Sequence, residues 1–252
     1  MNPSALHNVA ARKHEPHTSS WLTRSSEWRD WVSASSTDRL LWIHGIPGAG
    51  KTVLASYAIE KLKALCDLTD SVACTYYYCH YSHNQDEAGP FLSWTIGQLC
   101  RQAAWMPRHL KRLRDRGCEP TIPELEHALE LVLERFERAY LVIDAVDESS
   151  PRDELVRLVA ILSLDNRFRK IRILATSRQY ADIGRVFSAI SVSISMSNSY
   201  VEADIAQLIS ARFSSSPRLR RWRHSMEEIQ RTLTRKANGM YGICETATRY
   251  AC

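Results

Sequence analysis

Five short segments of this chain are rich in apolar and β-branched residues and stand apart from the more polar segments around them. Runs of this length and composition predict strands. We place the five strands at residues 40–44, 72–80, 140–145, 171–176 and 190–196. The third is apolar without alternation from Tyr140 to Ile143, which is typical of a strand buried on both faces of a parallel sheet.

Between the strands, apolar residues recur three and four positions apart, as on one face of a helix. The predicted helices cover residues 25–32, 51–65, 90–104, 123–138, 153–164, 199–213 and 219–233. One start is marked clearly, because Thr121 and Glu124 form a capping box and Pro123 occupies the first turn. Strands that alternate with helices in this way predict a three-layer α/β fold around a mostly parallel, doubly wound, five-stranded sheet.

Composition divides the chain into three predicted regions. Residues 1–20 are polar and irregular, and we expect them to form a disordered N-terminal tail. Residues 21–213 hold all the predicted strands and form the main domain, with a helical lead-in over residues 21–36. A serine-rich linker then leads to a small C-terminal helical segment over residues 217–252.

Charge and cysteine content exclude several classes of protein. The net charge of +5 has a local origin, because residues 217–236 contain seven Arg or Lys and two Glu. A single short basic segment does not indicate a nucleic-acid-coating protein. No apolar run approaches the ~20 residues of a membrane span, so we expect no membrane partner. The seven irregularly spaced cysteines predict free thiols in a reducing, cytoplasmic setting.

The candidate chemistry begins directly after the first predicted strand. Residues 45–52 read Gly-Ile-Pro-Gly-Ala-Gly-Lys-Thr, the phosphate-cradling P-loop pattern. Glycines let backbone N–H groups approach phosphate oxygens, and the helix that begins near Lys51 adds its positive dipole end. Lys51 would reach the β- and γ-phosphates, and the Thr52 hydroxyl would ligate Mg²⁺. The predicted nucleotide-binding residues are Gly45, Ile46, Pro47, Gly48, Ala49, Gly50, Lys51, Thr52 and Val53.

A P-loop needs an acidic residue at the end of a neighbouring strand, and Asp144 lies at the end of the third. It would hold Mg²⁺ together with Thr52. Asp147 and Glu148 follow within four residues, and we assign Glu148 before Asp147 as the carboxylate that orients and deprotonates an attacking water. Arg178 follows the fourth strand, where its guanidinium could neutralise γ-phosphate charge, although this position also fits an ordinary surface residue.

These residues together resemble a known family. Three segments are similar to the motifs of the NACHT domain, one of the signalling (STAND) P-loop NTPases. They read Gly-Ile-Pro-Gly-Ala-Gly-Lys-Thr, Val-Ile-Asp-Ala-Val-Asp-Glu and Leu-Ala-Thr-Ser-Arg. The sequences of these motifs most resemble those of the nephrocystin-like NACHT modules of fungal NOD-like receptors. The resemblance runs over residues 21–240. It implies ATP or GTP binding at the P-loop, Mg²⁺ at Asp144, hydrolysis at Glu148 and a sensor role for Arg178.

The resemblance and the residues lead us to expect a nucleotide-operated signalling switch. It would bind ATP or GTP with Mg²⁺, hydrolyse it slowly and form a homo-oligomer in the triphosphate state, with protein partners left open. No guanine-reading Asn/Thr-Lys-x-Asp motif is present, which favours adenine. A small-molecule kinase fits less well, because the acidic and arginine motifs indicate attack by water and no acceptor-binding motif is evident.

The alternative function is a non-hydrolysing nucleotide-binding scaffold or decoy fragment. Similar proteins continue after the NTPase into a winged-helix module and repeats such as ankyrin or WD40. This sequence reads Gly-Ile-Cys-Glu-Thr-Ala-Thr-Arg-Tyr-Ala-Cys after Tyr241 and stops. We therefore expect the C-terminal segment to be shortened relative to that family.

Overall fold

The computed structural model describes residues 3–117, 119–215, 225–237 and 239–241. Within them, five strands form one sheet in the order β2-β3-β4-β1-β5, and every neighbouring pair is parallel. The strands are β1 (Leu40–His44), β2 (Val72–Tyr78), β3 (Arg138–Asp144), β4 (Ile171–Ser177) and β5 (Val192–Ser195). The predicted parallel five-stranded sheet is confirmed, with small shifts at the strand ends.

Helices cover both faces of the sheet. They are α1 (Ser4–Arg12), α2 (Ser20–Arg24), α3 (Ser26–Val32), α4 (Lys51–Cys66), α5 (Ala88–Gln102), α6 (Arg108–Asp115), α7 (Ile122–Leu133), α8 (Asp153–Leu164), α9 (Ala181–Phe187), α10 (Ser199–Ser215) and α11 (Met226–Ala237). Single 3₁₀ turns form at Tyr81–His83, Val146–Glu148 and Asn166–Phe168. In the described residues, no helix combines the length and apolarity needed to cross a membrane.

The core has two layers because successive strand residues point to opposite faces. On β3, Leu141 and Ile143 pack against the layer formed by α5, α7, α8 and α9. Their neighbours Tyr140 and Val142 pack on the other face, with α2, α3, α4 and α10. The sheet therefore lies between two helical layers, and the predicted three-layer α/β architecture is confirmed.

Several helices differ from the sequence prediction. The capping box of Thr121 and Glu124 is present, but α7 begins at Ile122 and ends at Leu133, short of the predicted residue 138. Helices α6 and α9 were not predicted. The helix expected at 219–233 is described from Met226, because residues 216–224 lie outside the described part of the chain, as do residues 242–252.

The prediction of a disordered tail over residues 1–20 is wrong, because Ser4–Arg12 form α1, which packs against α4. His7 is buried, with its Nδ1 3.0 Å from the Tyr78 hydroxyl and its Nε2 2.8 Å from a Glu60 carboxylate oxygen. His7, a polar residue of the segment that resembles a tail in the sequence, thus helps attach it to the domain, together with the apolar Leu6 and Ala10. The remaining domain boundaries stay predictions.

The carboxyl ends of the three central strands lie at one edge of the sheet. Strand β4 lies between β3 and β1, so the loop after β1 and the acidic turn after β3 flank the end of β4. Parallel α/β sheets bind ligands at this edge, and the predicted site residues all follow these three strands.

Candidate functional site

The loop between β1 and α4 has the backbone of a P-loop. Gly48 and Gly50 have φ angles of +75° and +84°, a left-handed conformation that side-chain-bearing residues rarely adopt. At Gly45 the constraint is space, because a Cβ atom there would lie 2.7 Å from the Cβ of Met196. The Gly45 N–H donates to the Ser177 carbonyl at 3.3 Å, which ties the start of the loop to the end of β4.

The Lys51 ammonium lies within the curve of this loop. Its Nζ donates to the carbonyl oxygens of Gly45 at 2.8 Å and Ile46 at 2.9 Å. Burial lowers the pKa of Lys51, and the nearby Asp147 and Asp144 carboxylates act against that shift. A positive charge is therefore held where the loop's N–H groups and the first turn of α4 converge.

Asp144 ends β3 as a buried carboxylate with hydroxyl partners. It is 2% exposed, and Thr176 Oγ1 donates to its Oδ1 at 2.6 Å. Thr52 is a second hydroxyl residue beside it, and the two line one cavity. Burial raises the pKa of Asp144 to about 6, and the hydroxyls of Thr176 and Thr52 oppose the shift. The two predicted metal ligands, Thr52 and Asp144, thus lie side by side in the lining of one cavity.

Thr176 has a second role at this edge. Its Oγ1 accepts the N–H of Ala145 at 2.9 Å while it donates to Asp144. Ala145 has φ = +59°, so the chain turns sharply away directly after the carboxylate. Sequence reasoning missed this function of Thr176. The signal that could have identified it in the sequence is a hydroxyl residue near the end of β4, the strand that follows β3 along the chain.

The acidic turn gives Asp147 and Glu148 different surroundings. Asp147 Oδ1 accepts the Arg178 N–H at 2.9 Å, and its Oδ2 lies 3.2 Å from Arg178 Nε. Glu148 Oε2 accepts the N–H of Tyr81 at 3.3 Å, a long contact. Asp147 is therefore paired with the predicted sensor arginine. Glu148 is held less tightly, and its predicted role as the water-activating carboxylate stays a prediction.

Two cavities flank the first turn of α4, and Val53 borders both. The first has a volume of about 260 Å³ and is lined by Thr52, Asp144 and Glu148 on one side and by α1 on the other. The second, of about 100 Å³, lies on the other side of Gly50. Its apolar and aromatic lining includes Trp21, Leu54, Met196, Leu208 and Tyr241. One side of the P-loop thus carries the Thr52, Asp144 and Glu148 side chains, and the other combines this apolar lining with charged residues that include Asp204 and Arg212.

Residues far along the chain close the second cavity. A Cβ atom at Gly50 would lie 3.0 Å from Cδ2 of Tyr241, so this ring rests on the P-loop. Asp204 accepts the Ser19 N–H at 2.6 Å and the Trp21 Nε1–H at 3.1 Å, and the Tyr241 hydroxyl lies 3.4 Å away. One buried carboxylate therefore joins the lead-in segment, α10 and Tyr241 beside the loop.

A parallel sheet in this strand order, with a P-loop after β1 and a buried acidic residue at the end of β3, defines a P-loop NTPase. The family model described as "Nephrocystin 3, N-terminal" matches residues 17–178, more than half of the chain. The chain belongs to this family and is a NACHT-like, nucleotide-binding NTPase module.

Vegetative incompatibility protein HET-E-1 of Podospora anserina is 26% identical to this chain over 174 residues. The match covers 65% of this chain but 12% of that protein, so the chain spans about an eighth of the curated relative's length.

Two solved structures share the fold. Cdc6p from Pyrobaculum aerophilum has a TM-score of 0.50 and 17% identity, and the match covers 83% of this chain and 52% of that one. A Walker-type ATPase of Pyrococcus abyssi has a TM-score of 0.51 and 12% identity, with 90% and 71% covered. At these identities the likeness concerns the fold alone.

Proposed function

We propose that this chain is a nucleotide-operated switch that binds ATP or GTP with Mg²⁺ and hydrolyses it slowly. The observation that carries the proposal is the convergence of Thr52, Asp144 and Glu148 on one cavity beside the P-loop. Three oxygen-bearing side chains from α4, the end of β3 and the following turn meet there, next to the Lys51 charge.

The P-loop would bind the phosphates. Its N–H groups and the first turn of α4 create a positive electrostatic potential at the centre of the loop. The Lys51 ammonium, which donates to the Gly45 and Ile46 carbonyls, would turn to the β- and γ-phosphate oxygens. Charge-assisted hydrogen bonds to phosphate are stronger than those to neutral carbonyls, which favours the exchange.

Thr52 and Asp144 would hold Mg²⁺. A hydroxyl and a carboxylate that line one cavity form a hard oxygen donor set of the kind this ion prefers. The raised pKa of Asp144 fits the same role, because ionising a buried carboxylate is costly even with Lys51 nearby, and a divalent cation would stabilise the ionised form. Mg²⁺ would supply charge neutralisation on the phosphates.

Glu148 would orient and deprotonate the attacking water, with Asp147 acting through Arg178. The ion pair between Asp147 and Arg178 holds the guanidinium at the end of β4, beside the strand that carries Asp144. From there Arg178 would contact the γ-phosphate and stabilise charge in the transition state.

The cavity beyond Gly50 would take the base. Trp21, Leu54 and Tyr241 offer flat and aliphatic surfaces for a purine, and Asp204 lies among them as a polar group. Adenine is favoured because no guanine-reading motif is present.

The switch itself would involve the segments that cover the loop. Helix α1 forms one wall of the Thr52–Asp144–Glu148 cavity, and Tyr241 rests on Gly50. A γ-phosphate between them would alter both contacts and favour an assembling, homo-oligomeric state, and the diphosphate would favour the resting one.

The test is γ-phosphate release from ATP and from GTP with Mg²⁺, for wild type, Glu148→Gln and Asp147→Asn, with bound nucleotide measured in each. We expect Glu148→Gln to retain bound nucleotide and lose turnover. Asp147→Asn should retain part of the turnover. Bound nucleotide without turnover in wild type would favour the non-hydrolysing scaffold. Unchanged turnover in Glu148→Gln would remove Glu148 from its role.

A further inference from the structure

Two cysteines outside the nucleotide site lie together at one end of the P-loop helix. Cys66 is the last residue of α4 and Cys74 is the third residue of β2, and α4 packs on this strand. Both side chains belong to the core layer on this face of the sheet, and they are close enough for each thiol to shift the pKa of the other. Both line a surface cleft of about 750 Å³, which connects them to solvent. We infer that Cys66 and Cys74 form a site of reversible oxidation, at which a peroxide converts the two thiols into an intramolecular disulfide.

The backbone holds both residues in place. The Cys74 N–H donates to Gln102 Oε1 at 3.1 Å, and the Cys74 carbonyl accepts from Gln102 Nε2 at 2.9 Å. At the other cysteine, the Cys66 carbonyl accepts the Thr69 N–H at 3.1 Å. Because α5 fixes the edge strand and a turn fixes the helix end, little conformational entropy remains to be lost when the sulfurs join.

The two thiols differ in reactivity and access. The neighbouring Cys74 thiol lowers the pKa of Cys66, whereas the Cys66 thiol and burial raise the pKa of Cys74. Cys66 is half-buried and Cys74 is 6% exposed. The thiolate is the nucleophile in thiol oxidation, so Cys66 is the attacking residue and Cys74 the resolving one.

The reaction has two balanced steps. The Cys66 thiolate attacks hydrogen peroxide, an S–O bond forms as the O–O bond breaks, and hydroxide leaves and takes the thiol's proton as water. The Cys74 sulfur then attacks the Cys66 sulfenic acid, the S–S bond forms, the S–O bond breaks, and a second water leaves with the Cys74 proton. Two thiols lose two electrons, and the peroxide is reduced to two waters.

The product would join the P-loop helix to the edge of the sheet. Helix α4 begins at Lys51 and ends at Cys66, and β2 pairs with the strand that carries Asp144. A disulfide at the C-terminal end of α4 would therefore connect the helix that provides Lys51 to β2, the strand whose Tyr78 pairs with Asp144. The inference does not depend on the proposed nucleotide function.

The experiment uses the full chain, reduced and then exposed to hydrogen peroxide, with peptide mapping under non-reducing conditions. We expect a link between the peptides of Cys66 and Cys74 that dithiothreitol reverses. Cys100→Ser, which removes another buried cysteine, serves as the matched control and should form the link as wild type does. A wild-type chain that forms no such link, or links Cys66 only to another cysteine, would overturn the proposal.

Dimedone, which traps sulfenic acids, separates the two roles. In Cys74→Ser we expect label on Cys66, at a rate at least about tenfold above that of Cys100. In Cys66→Ser we expect Cys74 to remain unlabelled. Label on Cys74 and none on Cys66 would contradict the assigned order, and the wild-type map decides the site itself if either variant fails to fold.

Discussion

Thr176 Oγ1 lies 2.6 Å from the Asp144 carboxylate and 2.9 Å from the Ala145 nitrogen, so one side chain of β4 holds the end of β3. The carboxylate and the left-handed residue after it are both fixed by this hydroxyl. The geometry of the acidic side of the site therefore depends on a residue of the neighbouring strand β4.

We expect Thr176→Val to destabilise the fold by roughly 2–4 kcal/mol, because it leaves a buried carboxylate oxygen and a buried N–H without their partner. Thr75→Val is the matched control. Thr75 is also fully buried in a strand, and among the described residues its hydroxyl has no hydrogen-bond partner. That change should be neutral or stabilising by about 1 kcal/mol. Urea unfolding measures both, and equal losses of stability would refute the role given to Thr176.

Lys51→Ala should weaken nucleotide binding by about 10- to 100-fold, the loss that corresponds to a charge-assisted hydrogen bond of ~1.5–3 kcal/mol. Lys61→Ala removes an exposed lysine on the same helix, near the Tyr57 ring, and should bind as wild type does. Titration with a fluorescent ATP analogue and Mg²⁺ compares the three proteins. Wild-type affinity in Lys51→Ala would remove the lysine from the phosphate site.

Arg178→Ala should leave the domain folded and slow its turnover. The Arg178 side chain is 41% exposed, but its partner Asp147 is 5% exposed, so the free energy of unfolding should fall by about 1–3 kcal/mol. Hydrolysis should fall at least about tenfold if the guanidinium stabilises charge on the γ-phosphate. Arg185→Ala, an exposed arginine on α9, is the control. If Arg178→Ala hydrolyses nucleotide at the wild-type rate, Arg178 is an ordinary surface residue with no role in hydrolysis.

Docking of α1 should weaken in acid. Burial lowers the pKa of His7 below its ordinary 6.5; the Glu60 hydrogen bond and charge oppose this shift, and Lys63 reinforces it. The folded state therefore favours neutral His7. Its contribution to stability is complete above pH 6.5 and is lost as the pH falls from 6.5 to the folded-state pKa.

The measurement is hydrogen exchange of the α1 amides at pH 7.5 and 5.5, corrected for the intrinsic rates. Wild type should lose protection at the lower pH. His7→Gln, which cannot titrate, should show weaker protection that changes little between the two. Equal protection of wild-type α1 at both values would contradict the prediction.

Local pattern was sufficient for much of this molecule. The strand with Tyr140 to Ile143 could be assigned because a strand buried on two faces must be apolar throughout, and that requirement is visible in the residues themselves. The P-loop could be assigned because its positive-φ glycines, Gly48 and Gly50, and its lysine lie next to one another in sequence. Asp144 followed from its place at a strand's end, which is also a local property.

Tertiary structure decided what depends on distant partners. Residues 1–20 are polar, and tertiary contacts such as those of His7 with Glu60 and Tyr78 make part of them a docked helix. Thr176 became the partner of Asp144 because β4 is the neighbour of β3, and strand order is not encoded by any one strand's pattern. The sequence determined the fold class and the phosphate loop, since their signals are short-range. The walls of the site were decided by long-range contacts, which exist only once the sheet has assembled.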